Sequence, residues 1–140
     1  MKKALCIVFL LIVCLLSACS SNLTSKESIV NLYTKNEALF IDAASDGSFS
    51  DLEKIRGVQK VLAWDECVDI KCGGSGFGSS THYYGIFFSE TDNLCAVVVA
   101  GPRDELVEDG SGYSYKQSDG DNEYYVEPLG SHYFYYEAHF

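Results

Sequence analysis

The chain has 140 residues and carries 10 Lys and Arg against 20 Asp and Glu, so its formal net charge is −10 and 14% of its residues are aromatic. This length allows one domain with a buried core but not two. The acidic balance argues against nucleic-acid binding and against a polybasic contact with anionic lipid, and the aromatic content excludes a disordered chain.

The first residues of the chain have the three parts of a secretory signal peptide. Lys2 and Lys3 give a positive start, residues 4–16 are uninterrupted apolar, and the small residues Ser17 and Ala18 follow. At 1.5 Å per residue this apolar run covers roughly 20 Å of helix, which is short of the ~30 Å hydrocarbon core of a bilayer. We therefore interpret residues 1–18 as a cleaved signal peptide and exclude them from the fold.

A cysteine follows these small residues directly. Leu16-Ser17-Ala18-Cys19 resembles the lipobox of bacterial lipoproteins, and the resemblance covers about the first twenty residues only. In that family the cysteine thiol receives a diacylglyceryl group and becomes the first residue of the mature chain. The resemblance implies lipidation of Cys19 and a location on the extracytoplasmic side of the cell membrane. Two acyl chains on the cysteine suffice for stable anchoring in that membrane. The alternative is a secreted protein whose cysteine falls there by chance.

Cleavage before Cys19 leaves residues 19–25 as a lipidated cysteine and polar tether, and residues 26–140 as a single domain. Without Lys2 and Lys3, eight Lys and Arg face twenty Asp and Glu, so the mature net charge is −12. An acidic balance of this kind favours cations or basic partners, although acidity is common among proteins.

Helical signals open this domain. Thr24-x-x-Glu27 fits a capping box, and apolar residues recur near helical spacing, with Asn36 interrupting the stripe. Gly47 is suited to the left-handed conformation that ends a helix. The sequence predicts a helix at about 25–45.

The segment 50–57 predicts a second helix of one or two turns, after which the apolar period changes to two. Strands 82–89 and 93–101 are apolar on both faces and separated by a short turn, so we expect them to pair antiparallel at the centre of a sheet. The predicted strands are 58–66, 67–72, 82–89, 93–101, 112–117, 122–128 and 132–140. The fold class is α+β: an N-terminal helix packed on a mostly antiparallel sheet of five to seven strands.

Three cysteines remain in the domain, and we expect none of them to form a disulfide. A straight strand from Cys67 to Cys72 spans roughly 16 Å, against ~4.4–6.8 Å between bridged Cα atoms. In a simple meander Cys95 also lies too far from Cys67 to bridge.

Two chemical alternatives use the same thiols. Cys72 with His82, His132 or His139 would give a thiol nucleophile next to a base. Cys67, Cys72, His82 and Cys95 would supply zinc ligands, but their spacing is not typical of a zinc site. We therefore predict no metal centre and no catalytic residue, and keep Cys72 with His82 as the catalytic alternative.

Residues 72–81 contain four glycines within six positions. The stretch lacks the spacing of a dinucleotide loop and of a nucleophile elbow, and no lysine follows its last glycine as in a phosphate loop. Glycine also permits bulges and close approach of backbone to backbone. We expect a wide connection between central strands, or a bulge.

The last strands are rich in tyrosine. In strand 132–140 alternation places Phe134 and Tyr136 on one face, which we expect inside, and Tyr133 and Tyr135 on the outer face. With the tyrosines of the preceding strands, the outer pair gives a candidate contact face of Tyr113, Tyr115, Tyr125, Tyr133 and Tyr135. The alternative is that these tyrosines brace the sheet.

A turn at 119–123 is rich in acidic side chains. It supplies oxygen ligands of the kind that calcium prefers, but its spacing matches no calcium loop, so a solvated turn is favoured.

Together these features predict a lipid-anchored envelope protein with a small non-catalytic binding domain. We expect no cofactor, a membrane contact through the diacylglyceryl group, and a protein or glycan partner. The alternatives are an enzyme using Cys72 and a histidine, and an inhibitor of an envelope hydrolase that uses the glycine stretch as a wedge.

Overall fold

The structure is a computed structural model that describes residues 22–64, 67–77, 80–94 and 105–140. The residues that resemble a lipobox, 16–19, together with Cys95 and most of the predicted strand 93–101, lie outside these residues. Within them, one helix packs on a seven-stranded antiparallel sheet, which confirms the α+β class. The helix predicted at about 25–45 begins at Lys26, so it is the first helix of the described residues but does not lie at the N-terminus of the chain.

Helix α1 spans Lys26–Asp46. Its N-cap is Ser25, whose hydroxyl accepts a 3.4 Å hydrogen bond from the Ser28 N–H, so the predicted cap at Thr24 is wrong by one residue. At the other end Gly47 takes φ 76°, and its N–H donates to the Ala43 carbonyl at 2.9 Å. This left-handed C-cap confirms the predicted end of the helix.

The helix is kinked at Asn36, where φ is −120° and ψ is 15°. The Asn36 amide donates a 2.8 Å hydrogen bond to the Leu32 carbonyl, within its own helix. A short polar side chain that bonds the backbone in this way competes with regular helical geometry. The break in the apolar stripe therefore corresponds to a real bend.

A 3₁₀ helix, Phe49–Lys54, follows α1 and confirms the second predicted helix. The strands are β1 Lys60–Ala63, β2 Val68–Phe77, β3 Ser80–Phe88, β4 Val107–Asp109, β5 Gly112–Lys116, β6 Glu123–Gly130 and β7 Tyr133–His139. Their order in the sheet is β1-β2-β3-β7-β6-β5-β4, with all neighbours antiparallel.

Strand β3 is central, as predicted, but its neighbours differ from the prediction. It pairs with β2 along one edge and with β7 along the other. Both edges of β3 are therefore occupied by described strands, and most of the predicted partner 93–101 lies outside the described residues. After β3 the chain turns at Asp92, where φ is 53°, and the Ser89 N–H bonds the His132 carbonyl at 3.0 Å.

The glycine stretch forms part of strands β2 and β3. Gly73 and Gly74 pair with Tyr84 and Tyr83, and the register shifts between Lys71 and Gly73. The bulge confirms one of the two predicted alternatives for these glycines. Strand β2 consequently runs five residues beyond the predicted end of 67–72.

Buried side chains cover both faces of the sheet. On the face under α1, the strand residues Ile70, Ile86 and Tyr133 pack with helix residues such as Ile29 and Phe40. On the opposite face a second cluster contains Phe87, Val126, Phe134, Tyr136 and Ala138. This confirms that Phe134 and Tyr136 share an interior face, and it also places Tyr133 in the interior.

A carboxylate lies within the second cluster. Asp69 is 3% exposed and accepts a 2.8 Å hydrogen bond from the Tyr136 hydroxyl. The Lys71 ammonium lies 3.9 Å from the same carboxylate. Burial raises the pKa of Asp69 above its usual 3.8, and the Tyr136 hydrogen bond and Lys71 offset only part of that rise.

Replacing Asp69 with Asn should stabilise the protein at pH 7. Because the pKa of Asp69 is raised in the folded state, the wild type loses stability as the pH rises from the unfolded value of 3.8 through the folded one. Asn can still accept the Tyr136 hydrogen bond without that cost. Urea unfolding of D69N and wild type should therefore differ at pH 7 and converge below pH 3.8.

The matched control is Tyr136→Phe, which leaves the carboxylate buried without its donor. That variant should lose about 1–3 kcal/mol at pH 7. A D69N protein that is less stable than wild type at pH 7 but equally stable below pH 3.8 would show that the carboxylate contributes stability in its charged form.

Candidate functional site

A cleft of about 280 Å³ lies on the helix side of the sheet, over strands β4 to β7. We call it the His139 cleft. Alternate residues of a strand share a face. On the face of the sheet that carries α1, strands β4 to β7 present polar residues beyond the part that the helix covers, and the cleft forms there. The lining side chains used below are Asp109, Lys116, Glu123, Tyr125, Glu137 and His139.

His139 has aromatic neighbours from β3. His82 is its partner in the register, and the two imidazole centroids lie 4.2 Å apart. The Tyr84 ring lies 6.2 Å from the His139 ring. The Nε2 atom of His139 is buried with no hydrogen-bond partner among the described residues, and the Glu137 carboxylate, at 3.9 Å, is beyond hydrogen-bond range.

Two tyrosines adjoin this cluster. The hydroxyl of Tyr135 is buried and has no hydrogen-bond partner within the described part of the chain. Burial raises the pKa of Tyr135, and the negative charge of Glu137 adds to the effect. Burial and Glu137 raise the pKa of Tyr84 in the same way. All these phenols stay protonated at neutral pH and act as hydrogen-bonding groups.

The charges around the cleft are mostly negative. Lys116 bonds Glu123, and this hydrogen bond holds the pKa of Glu123 below its usual value. Asp109 and Glu137 add two further carboxylates to the lining. A cleft with three carboxylates, one lysine that is already bonded to Glu123, and aromatic walls can accept a cationic group or hydrogen-bond donors.

The predicted tyrosine contact face is not one surface. Tyr113 and Tyr115 pack with the cluster on the face away from α1, whereas Tyr125 and Tyr135 pack with the cluster under it. Tyr133 is fully buried and donates a 2.6 Å hydrogen bond to the Phe40 carbonyl. The expectation of a single outer face is therefore wrong, because the sheet is covered on both sides. Whether any of these tyrosines binds a partner stays a prediction.

The predicted thiol lies in the core, whereas His82 and His139 lie against each other beside the cleft. Cys72 is fully buried in the core under α1, and its thiol donates to the Ile70 carbonyl at 3.6 Å. Burial raises the pKa of Cys72 to about 12, whereas a nucleophilic thiol needs a lowered pKa. His132 lies at the opposite end of β7, bonded to Asp92 at 2.8 Å. The arrangement gives no support to a Cys72 nucleophile.

Cys67 and Cys72, the two cysteines of the described residues, do not bridge each other. Within the same residues no group of three or more His, Cys, Asp and Glu side chains is placed to hold a metal ion. The zinc and calcium alternatives therefore gain no support there, and the proposed zinc ligand Cys95 lies outside that part.

Sequence reasoning named His139 only as a base for Cys72 and missed that it lines a cleft together with Glu137. The available signal was the alternation of β7, which puts Glu137 and His139 on the same face as Tyr135. That signal was insufficient, because the cleft also needs β6 and β5 beside β7. Pairing across those strands is not visible in the local pattern.

No family model, no curated protein and no solved structure matches the chain. Among the described residues, none of the helices combines the length and the apolar character needed to cross a bilayer.

Proposed function

We propose that the protein is a lipid-anchored envelope lipoprotein whose small domain binds a partner without catalysing a reaction. The proposal of a lipid anchor is supported by the sequence Leu16-Ser17-Ala18-Cys19, which ends a short apolar run. The fold is compatible with it, because Asn22, three residues after Cys19, already hydrogen-bonds to Gly74 of the sheet. The domain would therefore sit close to its acyl chains.

Intact mass spectrometry of the membrane-extracted protein tests the anchor. The proposal requires a chain that starts at Cys19 and carries a diacylglyceryl group. A species that retains Met1, or one trimmed elsewhere without fatty acid, would refute it.

We propose the His139 cleft as the binding site. Support comes from the buried, unpaired Nε2 of His139 and the negative charge of Asp109, Glu123 and Glu137. Buried polar groups normally have hydrogen-bond partners, so an unpaired one beside an open cleft suggests that a ligand supplies the partner. The partner favoured by this chemistry is a basic peptide segment or an amino sugar.

Replacing Glu137 with Gln should weaken binding of a cationic probe by up to about fivefold, since exposed ion pairs contribute 0.2–1 kcal/mol. The measurement is an NMR titration at low salt with trilysine and with a glucosamine oligomer, followed at the amides of Tyr125 and His139. Glu90, exposed in the turn after β3, gives the control variant E90Q, which should bind as wild type does. Shifts that are equal in both variants, or absent from the cleft, would remove this site.

A further inference from the structure

We propose that the tip of the β2–β3 hairpin, at Phe77, inserts into the bilayer surface beside the acylated Cys19. The inference rests on the proposed function, because it requires lipidation of Cys19. Its starting observation is that Phe77, the last residue of β2, is 96% exposed.

The path of the N-terminal segment leads to this tip. Leu23 donates its N–H to the Cys72 carbonyl at 3.1 Å. Asn22 donates from its side-chain amide to the Gly74 carbonyl at 3.0 Å and accepts from the Gly74 N–H at 2.9 Å. Asn22 lies beside Gly74 and Leu23 beside Cys72, so these two residues run antiparallel to β2. Followed backwards towards Cys19, this direction points to the end of β2 at Phe77.

The distances are short. Asn22 is three residues after Cys19, a separation of at most about 11 Å for an extended chain. Phe77 is three residues after Gly74, which is about 10 Å along a strand. The acylated cysteine lies at the membrane surface, so the exposed phenyl ring is held within reach of the headgroup region. Aromatic side chains are enriched at that boundary.

The charge distribution leaves this end of β2 free to approach lipid. Residues 70–89 contain no Asp or Glu although the chain carries twenty. Asp119 and Asp121 lie in the β5–β6 turn at the same end of the sheet, but β6 is three strands away from β2. The contact is therefore apolar, and it should be stronger on zwitterionic than on anionic bilayers.

The single tryptophan supplies an internal control. Trp64 is also exposed but follows β1, whose last residue Ala63 pairs with Val68 at the opposite end of β2 from Phe77. The double variant F77W/W64F therefore carries its only indole at the hairpin tip. The wild type carries its only indole at the far end of the same strand.

Both acylated proteins, each starting at Cys19, are reconstituted into phosphatidylcholine vesicles with and without lipids brominated on their acyl chains. We expect the indole of F77W/W64F to shift to shorter wavelength and to lose intensity on brominated lipid, while Trp64 of the wild type does neither. An acylated protein that floats with the vesicles but shows no quenching at position 77, or equal quenching at both positions, would overturn the inference alone. Absence of the acyl group by mass would overturn the proposed function, and this inference with it.

Discussion

Replacing Phe40 with Ala is expected to lower the free energy of unfolding by about 3–5 kcal/mol, the usual cost of truncating a buried phenylalanine. Phe40 is 0% exposed and lies between two other rings. Its centroid is 5.1 Å from that of Tyr33 and 5.2 Å from that of Tyr133, the latter in an edge-on contact. Removing the ring takes away its packing between α1 and β7, although the Tyr133 hydroxyl can still bond the backbone carbonyl at position 40.

The control for this variant is its neighbour in sequence. Leu39 is 52% exposed on the same helix, so L39A should change stability by only about 0.5 kcal/mol. Both values come from urea unfolding followed by near-ultraviolet circular dichroism. Since a domain of this size has roughly 5–15 kcal/mol in total, F40A should lower the urea midpoint visibly. Equal effects of F40A and L39A would mean that α1 is not packed on the sheet through Phe40.

The helical part of the fold was predictable because its signals are local. The kink at Asn36 depends on one side chain and the end at Gly47 on a residue without one, and each bonds backbone within four residues of it. The N-cap was misplaced by one residue because Thr24 and Ser25 are both good capping residues. Only the geometry decides between such neighbours.

The strand pairing was predictable only where a turn joins neighbours in sequence. The β5–β6 hairpin around Asp119-Gly120 is such a case. The pairing of β7 with β3 is not, because those contacts join residues about fifty positions apart, such as His82 and His139. The short edge strand β4 was missed within an acidic segment whose composition is typical of a loop.

The faces of the tyrosines were misjudged for a physical reason. Alternation separates the two faces of a strand, but it identifies the interior only when one face is polar. In β7 both sets are aromatic, and both are buried: Tyr133 and Tyr135 under the helix, Phe134 and Tyr136 on the other side. The candidate cleft was hard to predict for the same reason. It lies on the face of Tyr133 and Tyr135, at the end of β7 that the helix no longer covers.

Replacing Gly73 with Ala is expected to detach the N-terminal segment from the sheet. A Cβ atom at this position would lie 1.9 Å from the Leu23 carbonyl oxygen and 2.6 Å from its carbon. These are backbone atoms and cannot rotate away, so Asn22 and Leu23 must move. The loss of the three hydrogen bonds, one from Leu23 to Cys72 and two between Asn22 and Gly74, should cost about 1.5–4.5 kcal/mol, at about 0.5–1.5 kcal/mol for each bond.

Hydrogen exchange separates this local effect from general unfolding. In G73A the amides of Leu23 and Gly74 should lose protection, while those of β7, such as Tyr135, keep most of theirs. The control variant N22A removes only the side-chain bonds to Gly74, so it should cost about 1–3 kcal/mol and expose the Gly74 amide while leaving that of Leu23 protected. Unchanged protection of Leu23 in G73A would mean that the segment does not lie against Gly73.

The G73A variant also tests the membrane geometry, because a detached segment no longer fixes the distance between Cys19 and Phe77. Quenching of an indole at position 77 by brominated lipid should then fall although the acyl anchor is intact.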